Sequence, residues 1–353
     1  MEIMKKIGRV LLIILGVLLL AALVGPFLVP VPSLETRPVT ELARPNSRFV
    51  ELDFGGAQDV TVHYEEMGQG DRTILLLHGF ASSTASWSQV MGPLTAYGRV
   101  IAFDWVPYGL TERPLPGTWE RGQNPYSRAA QVELTLALMD ELGVESAVVV
   151  GNSAGGGLAA ALALDHPERV EALVLVDAAV MVPDAGDEEE GGRRSALGFG
   201  LLTSPLVRAI AETPQMDRLG PLFVRNIRDW GIEFGRSAWH NPDLITEEWW
   251  EANLLPLQAD NWDVGLWEAV KQFGAGGSDM AGRLDELTLP VLVLTGDDDR
   301  IIPAENSIRL AGALPDAELV VFEACGHIPQ EECPDQFLAA LTPWLDRLTA
   351  VSN

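Results

Sequence analysis

The chain has 353 residues, 47% of them hydrophobic, and a formal charge of −26. That length suits one large α/β domain carrying an insertion better than two equal domains. A surface this acidic repels nucleic acid and anionic lipid headgroups, so neither is expected as a partner.

The first residues are of another kind. Lys5, Lys6 and Arg9 stand against Glu2, and residues 10–28 are then apolar and uncharged. That is about the 20 residues a membrane-spanning helix needs. Basic flanks stay on the cytoplasmic side, which places the rest of the chain outside the cytoplasm. Residues 1–31 therefore read as a membrane anchor. Secretion after cleavage is the alternative, and Pro26 opposes a cut after Gly25. Residues 32–47, with Pro32, Pro38 and Pro45, read as a stiff spacer.

From there β and α signals alternate. Residues 48–52 and 60–66 are predicted strands joined through Asp53-Phe54-Gly55-Gly56 as a hairpin. Short apolar runs at 73–77, 100–103, 147–150, 170–176, 290–295 and 318–322 predict further strands. Residues 124–142 have helical spacing, stopped by Gly143. The alternation means a mostly parallel central sheet flanked by helices. It breaks at 180–285, which holds six of the ten tryptophans and opens on an acidic loop at 184–192. This insertion is expected to be a helical lid over the carboxyl ends of the strands, where α/β sheets bind ligands. The core is then 48–179 with 286–353.

The chemistry centres on Ala147 to Leu158, AVVVGNSAGGGL. A buried strand stops at Gly151-Asn152-Ser153-Ala154-Gly155 and a helix follows, the context of a nucleophile elbow. The helix starts beneath Ser153, so its first N–H groups face any oxyanion formed there. A serine hydroxyl needs a base, and the base needs a third group to fix its tautomer. Of five histidines, His63 lies in the first hairpin, His166 caps the helix behind Ser153 and His240 lies in the lid. His78 follows an early strand, in His78-Gly79-Phe80. His327, in Cys325-Gly326-His327-Ile328-Pro329 past the last strand, is the better base. The third group falls in Gly296-Asp297-Asp298-Asp299, where any aspartate could serve. Asp104 reads as a turn-maker. Cys325 and Cys333 are too few for a disulfide scaffold and are expected as unpaired thiols, with a disulfide closing the histidine loop as the alternative.

His78-Gly79-Phe80, Asp104 to Pro114, Gly151 to Gly155, Gly296 to Pro303 and Gly326 to Pro329 occur in the order seen in capped serine hydrolases of the α/β-hydrolase fold, which the sequence resembles from Arg48 onward. The resemblance implies a nucleophile, acid, histidine order of Ser153, Asp299 and His327. Asp177 is the alternative acid, and the oxyanion hole falls to the backbone N–H groups of Phe80 and Ala154. Trp105 departs from the arginine or polar residue often found after the aspartate. The expected activity is hydrolysis of a small-molecule carboxylic ester with an apolar acyl part, through an acyl-enzyme and without cofactor or metal. Acyl transfer to an alcohol or peroxide, carbon–carbon bond hydrolysis on the same triad, and ligand binding without catalysis are the alternatives.

Overall fold

A computed structural model describes residues 2–183, 205–226, 228–272 and 280–351; the acidic stretch 184–192 lies outside them. Strands β1 (Ser47–Phe54) and β2 (Ala57–Met67) form the expected hairpin. Its turn residues Gly55 and Gly56 have φ of 54° and 79°, the left-handed pair that a two-residue hairpin turn requires. The other strands are β3 (Thr73–Leu77), β4 (Arg99–Phe103), β5 (Ala147–Asn152), β6 (Val170–Val176), β7 (Val291–Gly296) and β8 (Ala317–Phe322). Together they make one sheet in the order β1-β2-β4-β3-β5-β6-β7-β8. The β1–β2 and β2–β4 pairs are antiparallel and every other pair is parallel.

Every residue of β3 and β5 is buried, as their unbroken apolar runs demand of strands covered on both faces. Alternate residues supply alternate faces. Leu75, Val149, Leu173 and Val293 pack with helices Arg128–Glu141 and Ala154–Asp165. Ile74, Val148, Val174 and Leu292 pack against Trp87, Phe337 and Leu341. The parallel strands therefore end together along one edge, and the loops leaving that edge carry the chemistry.

Between β6 and β7 run the helices Pro205–Ala211, Pro214–Arg225, Arg228–Ser237, Glu247–Leu254 and Trp262–Gln272, with no strand among the described residues. Ala238 and Trp239 pack against Ile301, Ile302 and Ile328, which belong to the loops after β7 and β8. The helical segment is thus seated on the strand-end loops.

Helix Glu2–Leu28 precedes the sheet and meets helix Pro214–Arg225, where Gln215 Nε2 donates to Leu23 O at 3.2 Å. Its stretch Met4–Leu28 is, by length and composition, the one among the described residues able to cross a membrane, with mean hydropathy 2.9 and none of it buried. The proline-rich segment after this helix is not free-standing, as a stiff spacer would be. Arg37 exchanges backbone hydrogen bonds with Gln258 and Asp260, both 2.9 Å. Val39 and Leu42 are buried beside Leu110 and Ala259, because two apolar side chains within that segment gain by leaving water.

Candidate active site

Ser153 sits between β5 and helix Ala154–Asp165 with φ 54° and ψ −118°, a strained conformation for a residue bearing a Cβ. The surroundings hold it there: its N–H donates to Val176 O at 2.9 Å, and its carbonyl accepts from Ala179 N at 2.8 Å. The flanking glycines are steric necessities. A Cβ on Gly151 would lie 2.4 Å from Gly155 O, and one on Gly155 would lie 2.2 Å from Leu77 O. Ala154 opens the helix, so its N–H is among those that no helical carbonyl satisfies. The chain after β3 passes close by, since a Cβ on Gly79 would approach Ser153 Cβ to 3.2 Å. Phe80 and Ala154 therefore flank the serine from two sides.

Asp299 follows β7 and His327 follows β8. Asp299 Oδ2 lies 2.7 Å from His327 Nδ1, and Oδ1 accepts from the backbone N–H of Ile301 (2.7 Å) and Ile302 (2.9 Å). A carboxylate so placed holds the proton on Nδ1 and leaves Nε2 as the basic nitrogen. Two further bonds fix the histidine loop. His327 N donates to Ala238 O at 2.7 Å, and Asn152 Nδ2 donates to His327 O at 3.0 Å, tying the loop to the residue before Ser153.

Asp177, the alternative acid, lies in the same buried cluster: single ligating atoms of Asp177, Asp299 and His327 fall within 4.8 Å of one another. It does not take the histidine. Its Oδ1 accepts from Thr295 Oγ1 (2.6 Å) and Gly296 N (3.2 Å). Burial and then the neighbouring Asp299 push its carboxyl well above the usual range, so Asp177 holds its proton. Asp298, at the surface, pairs with His240 Nδ1 (2.9 Å) and Arg300, and its neighbour Asp297 accepts from Cys325 N.

The two cysteines are not free thiols. Cys325 and Cys333 form a disulfide with Cα atoms 6.3 Å apart. The short helix Pro329–Glu332 turns the chain back on itself and brings Cys333 to Cys325, which eight residues of spacing could not reveal.

Two buried carboxylates have partners that the sequence does not reveal. Asp104 is the expected turn-maker, accepting from Thr84 N and Leu110 N, both 2.7 Å, but it also meets His63 Nδ1 at 2.7 Å. Burial alone would raise its pKa; the charge of His63 and their hydrogen bond outweigh that and hold it far below the usual range. Glu331 accepts from Ser86 Oγ at 2.5 Å and from Trp249 Nε1, joining the core to helix Glu247–Leu254, and burial pushes its carboxyl up to about 7. Nothing local marks either residue, because their partners lie far away in the chain. Trp105, in place of the common arginine, donates from Nε1 to His78 O at 3.0 Å and stacks on the His78 ring. Burial lowers the pKa of His78, so that ring remains neutral.

The alpha/beta hydrolase fold profile matches residues 72–334. A 2-hydroxy-6-oxononadienedioate/2-hydroxy-6-oxononatrienedioate hydrolase of Paraburkholderia phymatum is 29% identical over 319 residues, 88% of this chain and 99% of the relative. One of Dechloromonas aromatica bearing the same name is 29% identical over 318 residues, 86% of this chain and 96% of its own. Among solved structures, a meta-cleavage product hydrolase from Pseudomonas fluorescens IP01 superposes with TM-score 0.58 at 26% identity, covering 86% of this chain and 98% of that one. The compounds in the first two names carry an enol, a ketone and two carboxylates but no ester. The expectation of ester hydrolysis is corrected accordingly: these relatives favour the carbon–carbon alternative. Sequence reasoning chose wrongly because fold and triad do not select the bond that is cleaved.

Proposed function

The chain belongs to the α/β-hydrolase fold family and is an enzyme, and we propose that it hydrolyses a carbon–carbon bond next to the ketone of a 2-hydroxy-6-oxo-dienoate-type acid. The observation that carries this reading is the end-to-end similarity to hydrolases of such compounds, 99% of the Paraburkholderia relative being covered. The site is suited to the task. The dienol first shifts a proton from its hydroxyl to the carbon beside the ketone, which turns the far end into an electron-accepting carbonyl. Ser153 Oγ then attacks the ketone carbon while His327 takes the serine proton and Asp299 stabilises the imidazolium. The N–H groups of Phe80 and Ala154 receive the oxyanion, each such donor contributing roughly 3 kcal/mol to the transition state. As the carbon–carbon bond breaks, its electron pair passes into the conjugated carbonyl and His327 returns the proton, so a dienol acid leaves. Water activated by His327 hydrolyses the acyl-serine to the second acid.

The helices between β6 and β7 serve in this reading as a lid. Phe234 meets the Phe80 ring with centroids 6.3 Å apart, and Ala238 accepts from His327 N, which supports closure over the serine. The apolar N-terminal helix anchors the protein in a membrane with the hydrolase outside the cytoplasm. The Cys325–Cys333 disulfide supports an oxidising compartment. Running the reaction in ¹⁸O-water tests the chemistry. Label in one new carboxyl group of one product agrees with hydrolysis next to the ketone, and two unlabelled products or an intact carbon chain contradict it.

A further inference from the structure

Helix Pro214–Arg225 of the inserted segment runs beside the end of the N-terminal helix and the chain that leaves it. Three of its side chains donate to backbone carbonyls there. Gln215 Nε2 meets Leu23 O at 3.2 Å, Arg218 Nη2 meets Val29 O at 3.1 Å and Arg225 Nη1 meets Pro32 O at 2.7 Å. Donors and acceptors ascend together, so the two stretches run in the same direction in one register.

That register sets a depth. At about 1.5 Å per residue, the apolar run of residues 10–28 is about 28 Å long, and a bilayer core is about 30 Å thick. None of the run can be spared, so Leu23 lies inside the apolar layer, roughly 8 Å before the helix ends at Leu28. Gln215 is level with it.

The residues at that level suit lipid. Thr213 N donates to Ile210 O at 3.0 Å, a tight corner that joins helix Pro205–Ala211 to Gln215. Leu206 and Ile210, four residues apart and so on one face of that helix, are 70% and 50% exposed. From Leu206 to Leu219, Arg208 and Arg218 offset Glu212 and Asp217, so the corner lacks the acidic excess of the chain. Arg218 carries its charge up to Val29, past the apolar run, as a long cationic side chain does at a membrane boundary.

We propose that the corner from Leu206 to Gln215 enters the bilayer interface beside the point where the N-terminal helix leaves it, so that the inserted helices rest on lipid. An amphipathic helix in an interface buries its apolar face by about 5–10 Å, which matches the depth the register gives. Two aliphatic side chains are too few to retain the chain alone, so the N-terminal helix remains the anchor. The segment that meets the lipid also supplies Phe234 and Ala238 to the active site. The proposal rests on the membrane-anchor reading and is independent of the bond cleaved.

The test places a nitroxide on the full chain in phosphatidylcholine vesicles through Leu206→Cys, Ile210→Cys, Leu15→Cys or Ile308→Cys, one at a time. The native cysteines are paired, so the label reacts at the introduced thiol. Collisions with oxygen, which enters the bilayer, are compared with collisions with a water-soluble nickel chelate, which does not. Ile308 is 47% exposed on helix Ala304–Ala313 and serves as the aqueous reference. Labels at 206 and 210 are expected to meet nickel roughly fivefold less often than the label at 308, because apolar surroundings exclude a polar chelate. Nickel contact equal to that at 308, with the label at 15 protected, overturns the corner's contact and leaves the anchor standing. A label at 15 that meets nickel freely overturns both. Protection at 210 that appears only at high protein-to-lipid ratio marks a second copy of the chain as the cover and also overturns the proposal.

Discussion

Asp299 Oδ2 and His327 Nδ1 are 2.7 Å apart on the loops that leave the paired strands β7 and β8. Of two aspartates lying in one buried cluster, Asp299 is the one that meets the histidine. Asp299 accepts two backbone N–H groups as well as the imidazole N–H, so its carboxyl group is held in place and aimed. Asp177 faces Thr295 and Gly296 and carries a proton. Asp299→Asn is expected to lower kcat by roughly 10³- to 10⁴-fold, the usual cost of a misdirected tautomer. Asp177→Asn, which replaces one neutral group with another, should change kcat by less than about tenfold. Equal losses in steady-state assays of the two variants would mean that the acid has been misassigned.

Glu331 gives the fold a pH dependence of defined sign. Its folded pKa of about 7 lies above the ordinary value of 4.5, so the folded protein binds the extra proton. Stability is therefore greatest below the unfolded pKa and falls as pH rises through that window. The effect is on the order of 3 kcal/mol. Glu331→Gln keeps hydrogen bonds to Ser86 and Trp249 available but cannot ionise. Denaturant melts between pH 4.5 and 7 should show the unmodified chain losing stability relative to this variant; parallel profiles would show that Glu331 is ionised in the folded state.

The disulfide closes a loop that contains His327, Glu331 and Glu332. Glu332 itself accepts from Gly326 N (2.7 Å), His240 N (2.9 Å) and Asn241 N (2.7 Å), so the loop clasps the inserted helices. Replacing both cysteines by serine should cost roughly 2–3 kcal/mol, the loop-closure contribution for so short a ring. The substitution should lower kcat more than it raises KM, because the base is displaced rather than the substrate pocket. Thermal unfolding and kinetics of the double variant provide the check, and an unchanged melting temperature would show that the bond adds nothing.

The N-terminal helix should account for all membrane association. The full chain is expected in the carbonate-resistant membrane fraction, and a chain beginning at Ser33 in the supernatant. Retention of the shortened chain would assign membrane binding to some other surface.

Much of this architecture is legible in the residues. Val148-Val149-Val150 and the other β-branched runs mark strands covered on both faces, and Gly151 and Gly155 mark a bend where the backbone comes too close for a Cβ. The elbow at Ser153 and the meeting of Asp299 with His327 are legible from strand-end positions and from their order along the chain. The rest depends on contacts between residues far apart in sequence. Glu331 meets Ser86 245 positions away, and Glu332 meets His240 N 92 positions away. Neither residue differs from a surface charge when read in its own segment. The preference for a carbon–carbon bond was also out of reach, since neither fold nor triad selects the bond.

Carbon–carbon cleavage initiated by Ser153 is tested by turnover of 2-hydroxy-6-oxonona-2,4-dienedioate by the full chain beside Ser153→Ala. Loss of the dienol chromophore with release of two acids in equal amounts is expected, and at least a thousandfold slower release, as an order of magnitude for losing a nucleophile, in the variant. A stable chromophore with the unmodified chain, or equal rates for the two proteins, would contradict it.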